Sequence, residues 1–132
     1  MALRFLTIED VLALHADLLD RDGGTPGILN LGGVDSALYR CKWGPYFGEP
    51  PLARRAALLC RGLCQDHPFA DGNKRTAYAA ALTFLALNGV ALDVPEGEEV
   101  AFVVAVAQDQ LDLDATEAWF QSHLDKVQEG GR

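Results

Sequence analysis

Nine consecutive residues, His67-Pro68-Phe69-Ala70-Asp71-Gly72-Asn73-Lys74-Arg75, set an imidazole, a carboxylate, a glycine, an amide and two cations just ahead of a long apolar stretch. Each type has a task in phosphate chemistry. A histidine titrating at about 6.5 is largely neutral at pH 7 and accepts a proton from a hydroxyl, provided no salt bridge holds it. Asp71 offers a hard oxygen ligand of the kind that holds Mg²⁺ jointly with substrate phosphates. Gly72 lets the backbone approach a phosphate closely. Asn73, Lys74 and Arg75 add donors where a helix begins, and the open N–H groups and dipole there favour an anion over an imidazolium. The set suits phosphoryl or nucleotidyl transfer, which depends on positioning and charge stabilisation. Singly, the residues say little: a histidine before a helix is more often structural, and a Lys-Arg pair there is more often solvated. Their order and density carry the reading.

The elements that must position this run read as helices almost throughout. Thr7 caps a first helix with Glu9 and Asp10 in its opening turn and Val11, Leu14, Leu18 and Leu19 along one face, ending near Asp20. Residues 21–33 are glycine-rich and read as a loop, after which Asp35 caps a short helix through Arg40. Residues 42–51 mix glycine, proline and aromatics and read as a flap or binding loop, or as aromatics pinning a loop to the core. Pro51 suits a first helical position, and Ala56, Leu59, Cys60, Leu63 and Cys64 recur at helical spacing up to Asp66. Residues 72–88 form the central apolar helix, closed by Asn88-Gly89. Residues 90–94 allow an edge strand or extended turn. Helices over 96–110 and 114–124 complete the set, the last with Asp114 and Glu117 as a capping box. The reading is all-α: one domain over residues 1–132, a helical bundle around the helix starting at Gly72, with a disordered tail from about residue 126.

Composition narrows the partners. The net charge is -8 with a pI near 4.7, and no basic stripe is present to neutralise nucleic acid. Arg54, Arg55 and Arg61 read as a solvated helix face. The uncharged run from Thr76 to Leu92 is shorter than the roughly 20 residues a membrane span needs and is interrupted at Asn88-Gly89, so a buried helix is expected and no membrane partner. Cys41, Cys60 and Cys64 are an odd number without a secretory signal ahead, which points to reduced thiols in a cytoplasmic protein. Cys60 and Cys64, with His67 three residues on, allow a soft metal site, but an i, i+4 cysteine pair reads better as one buried helix face.

The ordered motif resembles the signature of the Fic/Doc family, His-x-Phe-x-Asp/Glu-Gly/Ala-Asn-Lys/Gly-Arg, and Asp71 to Thr76 look most like its death-on-curing (Doc) toxin branch. The opening helix, the glycine-rich loop and Gly33-Val34-Asp35-Ser36-Ala37-Leu38 extend the resemblance to nearly the whole chain. It implies that His67 is the catalytic base activating a target hydroxyl and that Asp71 binds the metal. It further implies that Phe69 anchors the loop in the core, and that Gly72, Asn73, Lys74 and Arg75 form an anion hole around the phosphates of ATP. Fic adenylyltransferases carry glycine where this chain has Lys74 and a second arginine where it has Tyr78. Both departures are shared with Doc toxins, whose activity is kinase-like, passing the γ-phosphate of Mg-ATP to a threonine of elongation factor Tu and halting translation. Gly72 is the Fic-like choice where Doc has alanine. No Ser/Thr-x-x-x-Glu-Gly/Asn inhibitory run is found, so control by a small antitoxin protein in trans is expected. The alternatives are AMP transfer to a protein and a non-catalytic helical binding module.

Overall fold

The computed structural model describes residues 2–44 and 50–126. Helix α1 (Ile8–Asp22) starts at a reciprocal capping box: the Thr7 hydroxyl accepts from the Asp10 N–H at 3.1 Å, and the Asp10 carboxylate accepts from the Thr7 N–H at 2.8 Å. Helix α2 (Leu31–Trp43) departs from the sequence expectation at both ends. Its cap is Asn30, whose Oδ1 accepts from the Gly33 N–H at 3.2 Å, and not Asp35. Gly32 and Gly33, which look like loop residues, form its first turn. A Cβ at Gly33 would lie 3.0 Å from the Cβ of Asp66, so glycine permits close packing there. The helix continues past Arg40 through Lys42 and Trp43, and residues 45–49 of the expected aromatic flap lie outside the described residues.

Helix α3 (Leu52–Asp66) follows Pro51, which is its N-cap. Helix α4 (Asn73–Leu87) ends at Asn88, whose side-chain amide donates to Phe84 O at 2.9 Å and to Arg4 O at 3.0 Å, tying the N-terminal segment to this end. Strand β1 (Val90–Leu92) pairs antiparallel with β2 (Leu124–Lys126), Val90 facing Lys126. Lys126 is therefore paired backbone, and residues 127–132 of the expected tail lie outside the described residues. Helix α5 (Glu98–Ala107) lies between the strands in sequence, followed by α6 (Leu113–His123). The cap of α6 is Asp112, accepting from the Ala115 N–H at 2.8 Å, where the sequence had suggested Asp114.

The sequence singles out α4 as the centre, and the structure sets α3 beside it as the hub, packed against α2, α4, α5 and α6. Small residues allow this. A Cβ at Gly62 would lie 2.9 Å from the Cβ of Ala37 across the α2–α3 contact, and Ala56, Ala77, Ala80 and Ala81 are fully buried. The three arginines of α3 are structural ties, contrary to the expected solvated face. Arg55 is buried and donates to the carbonyls of Cys41 at 2.9 Å and Lys42 at 2.7 Å, fastening the end of α2. Arg54 reaches Asp114 and Glu117, and Arg61 reaches Asp109. A buried guanidinium is stable only when such acceptors surround it. Cys41, Cys60 and Cys64 are free and buried, and burial pushes the Cys41 thiol up to about 12, which makes it inert. No helix among the described residues is long and apolar enough to cross a membrane.

Candidate active site

The chain between α3 and α4 turns sharply. His67 closes α3 in the left-handed region, φ 45° and ψ 59°, a conformation in which histidine is enriched among non-glycine residues. The turn leaves its imidazole exposed. The neighbouring Asp66 pairs with Arg40 at 3.6 Å, and no described residue hydrogen-bonds or ion-pairs with the His67 ring. The condition for a base, an imidazole not locked in a salt bridge, is met among the described residues.

The next residues are pinned by backbone. Pro68 O accepts from the N–H groups of Leu29 at 2.7 Å and Asn30 at 3.0 Å, and the Ala70 N–H donates to Gly27 O at 3.0 Å. Phe69 is 1% exposed, which makes it the core anchor that the resemblance implies. Asn73 closes the loop from the α4 side: its Oδ1 accepts from the Phe69 N–H at 3.0 Å and its Nδ2 donates to Phe69 O at 2.8 Å. Its side chain is thus occupied in shaping the loop, and only its backbone N–H faces the role of anion donor.

Asp71 is held from several directions. Its Oδ2 accepts from the Thr25 N–H at 3.1 Å and its Oδ1 from the Gly72 N–H at 2.8 Å. These two bonds, with smaller help from the charges of Arg75 and Lys74, hold its carboxyl below the usual carboxylate range. Gly24 makes the approach possible: its φ is +132°, and a Cβ there would lie 2.9 Å from Asp71 Oδ2 and 2.7 Å from Leu19 Cδ2. Gly72, at φ 80°, is the N-cap of α4, and no described side chain caps the helix. The first backbone bond of α4 runs from the Thr76 N–H to Gly72 O at 2.9 Å, leaving the N–H groups of Asn73, Lys74 and Arg75 at the positive end of the helix. Lys74 is exposed beside them. Arg75 leans back toward α1, its guanidinium 3.4 Å from Asp22 and 3.5 Å from Gly23 O.

The structure therefore gathers all six candidate residues on one loop and helix start. Among the described residues no three His, Cys, Asp or Glu side chains converge to hold a metal ion, and the soft cysteine–histidine site is not formed. The donor set fits Mg²⁺ in one manner: a single ionised carboxylate, with the remaining ligands drawn from phosphate oxygens and water. A residue outside the motif also enters the site. His15 of α1 is buried, stacks on Phe69 with ring centroids 3.7 Å apart, and places Nε2 2.8 Å from Asp71 O. In sequence it looks like one more position on the apolar face of α1, and its only signal is a polar residue where that face calls for leucine.

One short loop of a mostly helical domain thus carries an imidazole without a described partner, a carboxylate held by two N–H groups and a helix N-terminus without a described side-chain cap. The Fic/DOC family matches residues 5–85, and the chain belongs to that family. It is 38% identical over 119 residues to a protein called Toxin Doc from Mycolicibacterium smegmatis, covering 86% of this chain and 89% of the relative. It is also 34% identical over 96 residues to Protein kinase doc from Escherichia phage P1, covering 71% of this chain and 76% of that one. These relatives set it in the Doc branch.

Proposed function

We propose that this protein is the toxin of a type II toxin–antitoxin pair, transferring the γ-phosphate of Mg-ATP to a serine or threonine hydroxyl of a target protein, with elongation factor Tu as the target. The observation that carries the reading is the open N-terminus of α4 directly after a carboxylate held ionised by backbone N–H groups. In this reading His67 accepts the proton of the target hydroxyl while that oxygen forms a bond to the γ-phosphorus. The bond from that phosphorus to the β,γ-bridging oxygen breaks and ADP leaves. The N–H groups of Asn73, Lys74 and Arg75, with the Lys74 ammonium, offset the charge on the phosphate oxygens. Mg²⁺, when bound, neutralises phosphate charge, and Asp71 is the residue that would hold it. The names of the relatives, a toxin and a protein kinase, support toxicity and phosphate transfer. Tyr78, packed among aromatics where adenylyltransferases carry a second arginine, weighs against AMP transfer.

The test is intact-mass spectrometry of elongation factor Tu, and of a bacterial lysate, after incubation with the protein and Mg-ATP. His67→Asn, which tolerates the left-handed backbone, is the control. One added phosphate is expected with the wild type, at a rate about 10²–10⁴-fold above the variant. An AMP-sized increment would replace the kinase reading with nucleotidyl transfer, and no increment on any protein would favour the binding module.

A further inference from the structure

We propose that His15 is a positioning residue for Asp71, and that its Nε2–H is what fixes the metal-side wall of the site. The inference rests on the reading of Asp71 as the ligand of the ion. Asp71 is gripped at both of its polar ends. Its carboxylate takes the Thr25 N–H, while its backbone carbonyl lies 2.8 Å from Nε2 of His15. A carbonyl oxygen only accepts, so the proton of that bond sits on Nε2 and fixes the tautomer of the ring. The flat face of the same ring lies on Phe69 at a 9° interplanar angle, and its Cδ2 would stand 3.6 Å from a Cβ at Gly72. One side chain on α1 therefore touches positions 69 and 71 and packs close to 72.

The loop's other ties run to residues 22–30, through Pro68 O, the Ala70 N–H and Arg75, so His15 is the bond that holds it to the middle of α1. Leu19 fills the space on one side, and Gly24 brings its backbone in on the other. Without a donor at His15, the Asp71 carbonyl loses its partner and the Asp71–Gly72 peptide can tilt between the fixed Ala70 and Asn73. The carboxylate then drifts from Thr25 and from the mouth of α4. An aliphatic residue would fill the same volume but could not hold the peptide plane. His15 touches no reacting atom, so its effect is exerted through Asp71.

Two variants separate the donor from the ring. His15→Phe keeps a ring over Phe69 and removes the donor, whereas His15→Gln keeps an N–H at about the reach of Nε2 and removes the ring. The structural readout is the amide resonance of Thr25, which reports its bond to the Asp71 carboxylate whether or not any transfer occurs. The Thr25 signal is expected to move upfield in His15→Phe and to stay near its wild-type position in His15→Gln. Phosphate transfer should fall about 10–100-fold in His15→Phe, the usual cost of losing a group that orients a metal ligand, and recover to within a few-fold in His15→Gln. The proposal is overturned if the Thr25 signal of His15→Phe is that of the wild type, or if both variants lose activity only in step with their melting temperatures. Should the wild type transfer nothing, the kinase reading fails while the Thr25 resonance still decides the role of His15.

Discussion

Arg75 and Tyr78 stand about one turn apart on α4, yet they belong to regions built on different physics. Arg75 faces the loop, where few bonds decide geometry: one carboxylate on two N–H groups, one amide clamped on Phe69, one imidazole on a carbonyl. Tyr78 faces an aromatic cluster. It meets Phe102 at 6.4 Å and Trp119 at 6.3 Å edge-on, those two rings stack at 3.7 Å, and Phe120 packs edge-on to both. Burial among these rings pushes the Tyr78 phenol up to about 12. The cluster draws its strength from area removed from water, which is forgiving of small displacements. The loop draws little stability from its bonds but owes its shape to each of them.

The widest separation of the two regions should come from Phe120→Ala. Phe120 is fully buried, and truncating such a ring costs about 3–5 kcal/mol, a large part of the roughly 5–15 kcal/mol that holds a domain folded. A much lower urea midpoint is expected, with the transfer rate per folded molecule unchanged. A folded fraction that had lost its activity would break the division between cluster and loop.

Tyr78→Arg sharpens the same division from the opposite side. If position 78 served the nucleotide, restoring the arginine of adenylyltransferases would bring AMP transfer. In this structure the side chain would instead set a charge among Phe102 and Trp119. The expected result is a loss of about 1–3 kcal/mol in denaturant titration and no AMP-sized product by mass spectrometry. Appearance of such a product at wild-type stability would show that α4 presents Tyr78 to the site after all.

The sequence was most legible where a signal and its structural partner lie within a few residues. Thr7 and Asp10 form their capping box, the spacing from Leu52 to Asp66 yields α3, and the candidate site is a contiguous run whose residues necessarily share a loop. It was least legible where the partner lies far along the chain. Gly32 and Gly33 signal a loop in isolation, but Asn30 caps α2 ahead of them, and the nearness of Asp66 in α3 favours a residue without a Cβ at 33. Arg55 looks solvated until the carbonyls at the end of α2 surround it. β2 has three residues and no periodicity of its own, and is defined by pairing with β1. His15 is the same case at the site: its acceptor lies 56 residues away, so its role emerges only once α1 is laid against the loop.

The finest of the expected differences between the two regions lies in their response to acid, compared through Asp71→Asn. The N–H groups of Thr25 and Gly72 favour the ionised carboxylate in the folded chain, so the folded pKa lies below the unfolded value of about 3.9. A depressed folded pKa contributes stability that is present above the unfolded value and is lost as pH falls through the folded one. The wild type should therefore melt slightly above Asp71→Asn at pH 6, and the gap should close as the pH is lowered below about 4. The gap should be small because Asp71 is only half-buried and water screens it. The melting deficit of Phe120→Ala, which involves no titrating group, should persist across the same range. Scanning calorimetry of the three proteins from pH 6 to the acid limit of folding measures both trends. A gap for Asp71→Asn that stayed flat with pH would mean that the carboxylate gains nothing from Thr25 and Gly72. The loop would then be held by packing, as the aromatic cluster is.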